Sequence, residues 1–273
     1  MQPAAWDRIP IMPPLSAAQR RLLAEEDARW LDLPLSSGGN PAQVAAHIRH
    51  LAKLISEGRR ASAAAAASHW GRLYDSSIQK TFELACRQGC AHCCKQPVLI
   101  YAPEAFALAA RMRERPETAA AMRGAAEKLG TMASGPDTVR RISCPLLSNN
   151  SCSIYEIRPL NCRAFVAVDV RECISTFVMM GKFAVRMPAP ITNMRTFWHM
   201  LMMAALRLAG KNVAVYEMNA AVSRALETPD AEARWLAGED VFEGLAEALP
   251  MAPEIEAEIG RMVAFVAPTM ERT

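Results

Sequence analysis

Residues 86–94 read CRQGCAHCC, and residues 144–173 read CPLLSNNSCSIYEIRPLNCRAFVAVDVREC. These two stretches hold all eight cysteines of the chain: Cys86, Cys90, Cys93 and Cys94, then Cys144, Cys152, Cys162 and Cys173. Thiols two to four residues apart, followed by a second thiol group, are how a chain assembles a soft-metal site. Such a module takes order from ligation as much as from packing. The turn formers Pro145, Ser148, Asn149, Asn150 and Pro159 predict an irregular, loop-dominated segment between flanks that read as helical.

Outward from the cysteines the pattern is helical. Upstream, Ser16 with Gln19 marks a capping box, and a first helix is expected through Leu22, Leu23 and Trp30. Asn40 as cap and Pro41 as first helical residue open a second helix, whose apolar face is Val44, Ile48, Leu51 and Ile55, with Gly58 as its stop. A third, long helix carries Trp70, Leu73, Ile78 and Phe82 and is expected to deliver Cys86. Between the clusters, PVLIY (97–101) reads as a short strand or buried extended segment. Helices near 103–114 and 116–129 follow, split by Pro116. Downstream, ITNMRTFWHMLMMAALRLAG ends in Gly210, a good stop. VAVYEMNAAVSRALET reads as a helix with Val215, Met218, Ala221, Val222 and Leu226 inward, and two more helices follow near PDAEARWL and PEIEAEIGRMVAFV. The expected fold is mainly α. An N-terminal helical region (1–80), a cysteine-cluster module (81–178) and a C-terminal helical region (179–273) form one unit.

Composition narrows the function classes. The chain has 273 residues, 51% of them apolar, and a net charge of only +3, with no run of like charges to hold nucleic acid. The first residues lack a basic region followed by an apolar one, so no secretory signal is expected. No stretch reaches the ~18 apolar residues of a membrane span. WHMLMMAALRLAG is too short and carries His199 and Arg207. The expectation is a cytoplasmic protein with no membrane partner. In a reducing compartment eight thiols are ligands rather than disulfides.

The thiolate, not the thiol, binds metal. Four thiolates on zinc or on an oxidised 4Fe–4S cluster leave a charge of −2, whose burial calls for cations or hydrogen bonds. Arg87, His92 and Lys95 interleave the first group, and Arg158, Arg163 and Arg171 the second. Gly89 would let backbone N–H groups approach sulfur. His92 is expected in a supporting or solvent-facing position. His47, His50, His69 and His199 read as ordinary helix residues. Arg158 and Arg163 are expected to neutralise the centre or tie the loop to carbonyls, and Tyr155 and Glu156 to serve packing and helix initiation. Met194, Met200, Met202 and Met203 read as core filler rather than a copper site. Cys86-x₃-Cys90-x₂-Cys93 has the spacing radical-SAM enzymes use for a 4Fe–4S cluster, but the strand–helix alternation of their barrel is lacking. Spacing leaves open zinc against iron–sulfur and one site against two. Adjacent Cys93 and Cys94 are not expected to serve one mononuclear site.

The run C-x₃-C-x₂-C-C (Cys86 to Cys94), then C-P-L-L (Cys144, Pro145), then C-S-I-Y-E-x-R-P-L-x-C-R (Cys152, Tyr155, Arg158, Pro159, Cys162, Arg163), resembles the YkgJ-like cysteine-cluster proteins. These are described as zinc- or iron-chelating, and the family includes the flagellin lysine N-methylase. Cys173 stands at the looser position of the eighth cysteine. The resemblance spans roughly residues 82–175 and implies a bound metal or iron–sulfur cluster, a 4Fe–4S cluster foremost, with zinc as the alternative. Three readings follow. The first is a metalloprotein using all eight cysteines in a structural, redox or sensing role. The second is a cluster-dependent enzyme such as a SAM-dependent protein methyltransferase, for which no Gly-rich strand-to-helix turn is found. The third is a helical interaction protein, with a protein partner, that the metal merely staples.

Overall fold

The computed structural model of the chain describes residues 16–17, 40–56, 61–77, 83–87, 89–131, 142–178, 185–247 and 251–270. The expected first helix falls outside them except for Ser16 and Ala17, as does the stop at Gly58.

The fold is mainly helical, as its periodicity predicts. Helix α1 (Pro41–Ile55) starts where Asn40 Oδ1 accepts the Ala42 N–H at 2.9 Å, with Pro41 in the first turn. Such a cap contributes about 1 kcal/mol. Its expected apolar face is buried: Ile48, Leu51 and Ile55 are fully enclosed. Burying each contributes roughly 1.5–3 kcal/mol. Helix α2 (Ala63–Ser77) buries Trp70 and Tyr74. The expected continuation through Ile78 and Phe82 lies outside the described residues, and Cys86 is delivered by the non-helical segment 83–87 rather than by a helix. Trp198 Nε1 donates to Ser77 Oγ at 2.9 Å.

Strand β1 (Leu99–Ile100) leads into α3 (Ala102–Arg113), and α4 (Pro116–Thr131) follows after the expected break. A hairpin of β2 (Leu147–Ser148) and β3 (Ser151–Cys152), then α5 (Leu160–Ala164) and α6 (Val170–Cys173), make up the cysteine region. The long α7 (Ala189–Leu208) ends just before Gly210, whose φ of 65° suits glycine. Met200, Met202 and Met203 are buried core on α7, as expected.

One reading is corrected here. Val215 does not begin a helix: Val215–Glu217 forms strand β4, and α8 runs from Met218 to Glu227. The short β1 needs a partner for its backbone, and β4 supplies it through the pairs Leu99↔Glu217 and Ile100↔Tyr216. Tyr216 also stacks on Phe242 at 4.7 Å between centroids. The Glu217 carboxylate then caps α8 by accepting the Ala220 N–H. Strand β5 (Ala246–Glu247) pairs with β4, so the sheet has the order β1-β4-β5, all antiparallel. Helices α9 (Ala231–Leu236) and α10 (Pro253–Val266) complete the chain.

The main core draws on α1, α2, α3, α7, α8 and α10. Its centre is aromatic. Trp70 Nε1 donates to the Trp198 carbonyl at 2.9 Å, and the Trp70, Tyr101 and His199 rings lie 5.6–5.9 Å apart. A smaller, separate apolar cluster is formed by Ala167, Cys173 and Phe177, with Cys93, Phe165 and Val185 against it.

Glu104 joins this core to the cysteine region. Its Oε2 accepts the Tyr101 N–H at 3.0 Å, where α3 starts, and its Oε1 accepts the Leu160 N–H at 2.8 Å, where α5 starts. Burial pushes its carboxyl up to about 7, against the opposing pull of the two N–H groups and of Arg163. The folded protein therefore holds this proton more tightly than the unfolded chain does. The contribution is complete below about 4.5 and is lost as the pH rises towards about 7. Glu104→Gln cannot titrate. Thermal melts of both proteins should show wild-type stability falling relative to the variant across that window, whereas a pH-independent difference would contradict the assignment.

Candidate metal centre

The eight cysteines come from four kinds of local structure. Cys93 and Cys94 sit in a 3₁₀ turn, His92–Lys95. The Cys94 carbonyl accepts the Cys144 N–H at 2.7 Å, which ties the two sequence groups together. Cys90 follows Gly89, whose φ of 82° makes the turn that bonds the Cys90 N–H to the Arg87 carbonyl. Cys152 ends the β2–β3 hairpin opposite Leu147. Asn149 and Asn150 take φ of 49° and 58° at its tip, a left-handed pair that asparagine tolerates and two-residue hairpins require. Cys162 lies on α5 and Cys173 at the end of α6.

Seven of the eight cysteines, all but Cys173, line one cavity of about 590 Å³. All eight are free thiols. Cys144, Cys152 and Cys162 pack against the main core, while Cys173 is buried in the smaller cluster, against which Cys93 packs. Cys86 is the most exposed of the set, yet its sulfur turns inward to accept the Ala167 N–H at 3.3 Å. The Cys93 and Cys94 thiols are hydrogen-bonded to each other. Among the described residues no group of three or more His, Cys, Asp or Glu side chains closes around a single ion position. His92 does not line the cavity.

Burial disfavours the thiolate form. It pushes Cys144 and Cys173 up to about 12, and Cys162 further. Cys94 is the exception, held below the usual thiol range because Cys93 donates to it. Compensation comes from backbone N–H groups, of Ala167 at Cys86, Leu146 at Cys144 and Ile154 at Cys152, and from Arg158, whose charge reaches Cys86, Cys94, Cys152 and Cys162. Its guanidinium lies 3.7 Å over the Tyr155 ring, and its Nε donates to the Tyr155 carbonyl. Tyr155 is therefore no packing residue: it is 57% exposed and serves as a platform for Arg158.

The other arginines divide the expected roles. Arg163 is buried and ties the loop down: Nε donates to the Arg158 carbonyl at 2.7 Å, Nη2 to the Glu156 carbonyl, and Nη1 pairs with Asp75 of α2. Arg171 departs from the expectation. Its guanidinium grips the adjacent Asp169 carboxylate at 2.6–2.9 Å.

Several residues that hold the site were not singled out from the sequence. Asn161 Nδ2 donates to the Leu99 carbonyl at 2.7 Å, and its Oδ1 meets His199 Nε2 at 3.1 Å, fixing the residue beside Cys162. His199, read as an ordinary helix residue, has its other nitrogen on Tyr101 Oη at 3.2 Å, and burial lowers it to about 3, keeping it neutral. Gly71 is the one position with a sequence signal, a glycine in an alanine-rich helix. A Cβ there would stand 3.1 Å from Arg163 Nε. Gly→Ala in a helix interior ordinarily stabilises by about 0.5–1 kcal/mol. Gly71→Ala should instead destabilise, by roughly 1–3 kcal/mol as overpacking does. Urea denaturation showing a gain would mean that Arg163 yields freely.

Residues 85–182 match the model of the CxxCxxCC family, described as "Putative zinc- or iron-chelating domain". Comparison with curated proteins and with solved structures gives no match. The match covers the part of this chain that holds all eight cysteines, and that part is thus similar to the cysteine-cluster family that its thiol and arginine pattern resembles.

Proposed function

We propose that this protein holds an iron–sulfur centre, a 4Fe–4S cluster foremost, with its cysteines as ligands, and that the centre serves redox or sensing chemistry. The observation that carries this reading is the disposition of the thiols. Seven free cysteines face one cavity of about 590 Å³, yet no three close around one point. Tetrahedral zinc needs sulfurs about 2.3 Å from the metal, and so about 3.8 Å from one another. An iron–sulfur cluster carries its own sulfides, so its cysteines stand further apart on the walls of a larger space. Arg158 supplies positive charge beside four of the thiols, as a buried anionic centre requires. The bound centre would supply one-electron chemistry, and the chain's residues set its charge environment and access to solvent.

A purely structural role fits less well. The core built by α1, α2, α3, α7, α8 and α10 takes in Leu146, Ile154, Leu160 and Ala164 of the cysteine region, but most of its buried residues lie outside that region. A metal that merely stapled the fold would be expected where such a core is missing.

Protein purified without oxygen should be brown, with iron and acid-labile sulfide in equal amounts. It should keep most of its helical circular dichroism after the metal is chelated. Colourless protein with stoichiometric zinc would overturn the iron–sulfur assignment, and less than one metal per chain would overturn metal binding altogether. Loss of all helical signal on chelation would overturn the redox or sensing role in favour of a structural one.

A further inference from the structure

We propose that the eight thiols form two four-thiol sets, Cys94, Cys144, Cys152 and Cys162 in one and Cys86, Cys90, Cys93 and Cys173 in the other, each holding its own metal centre. The proposal rests on the metal-binding reading above and adds how the ligands are shared.

The backbone and the packing divide the thiols in this way. Cys144, Cys152 and Cys162 all pack against the main core. The Cys144 N–H bonds the Cys94 carbonyl at 2.7 Å, which brings the 3₁₀ turn to that group. The hairpin holds Cys152 beside it, because the Ser153 N–H donates to the Leu146 carbonyl at 2.8 Å, two residues after Cys144. The other set gathers around the smaller cluster. Cys173 is one of its buried members and Cys93 packs on it. Ala167, a third member, donates its N–H to Cys86 Sγ at 3.3 Å and accepts the Ala85 N–H at 2.8 Å. The turns carrying Cys93 and following Cys173 are in contact.

Cys90 joins this set through the turn that bonds its N–H to the carbonyl of Arg87, the residue after Cys86. The partition also explains why Cys173 is absent from the lining of the cavity that the other seven share. It is buried in the smaller cluster, beside Ala167 and Phe177. The hydrogen-bonded neighbours Cys93 and Cys94 are where the two sets meet, one thiol serving each.

Cys152→Ala and Cys173→Ala test the partition, with iron, zinc and acid-labile sulfide counted on full-length protein purified without oxygen. Each single variant should lose one half of the wild-type metal and keep the other, and the double variant should hold none. Cys144→Ala and Cys90→Ala should repeat this pair of results, which guards against one substitution failing to fold. A single variant that empties the chain would show one shared centre and overturn the partition. Cys173→Ala with full wild-type metal would overturn it as well. Wild-type protein without metal would overturn the metal-binding reading itself, a result distinct from either.

Discussion

A single guanidinium holds the cysteine region in place. Arg163 is buried between α2 and the loop before α5, and it spends its donors on two loop carbonyls and on Asp75. Arginine suits this position because its planar fork meets several acceptors at once. Gly71 gives it room, and Glu104 and Asn161 hold the neighbouring residues from the other side. Cys162 is therefore presented by a segment that the helical core already fixes. The remaining thiols reach it through the Cys94–Cys144 backbone bond and the hairpin.

The second constraint is the cost of burying thiolates. Desolvation drives the enclosed sulfurs towards the neutral thiol. A bound cation reverses that preference, since metal binding releases the thiol protons. Arg158 lowers the cost without entering the ligand set, its guanidinium held over the Tyr155 ring and on the Tyr155 carbonyl. The two jobs expected of an arginine in this loop, neutralising charge and tying down carbonyls, are thus split between Arg158 and Arg163.

Much of this was legible in the sequence, for identifiable reasons. The α1 face of Ile48, Leu51 and Ile55 was readable because helical periodicity marks a buried stripe directly. The cysteines were readable because a soft-metal site needs a residue type that is otherwise rare. Strand β4 was not, because Val215–Glu217 is extended to pair with β1 and β5, partners far away in the chain. Glu104, Asp75 and Asn161 were silent for the same reason. Their residue types are common, and only the fold brings them to Leu160, Arg163 and Leu99. The division of thiols between two apolar clusters is likewise a property of packing that spacing along the chain cannot express.

X-ray absorption at the metal edge of anaerobically purified protein addresses the central claim, that these thiols hold an iron–sulfur centre. The predicted spectrum has a sulfur-only first shell around iron and a short iron–iron vector. A shell dominated by nitrogen or oxygen would contradict it.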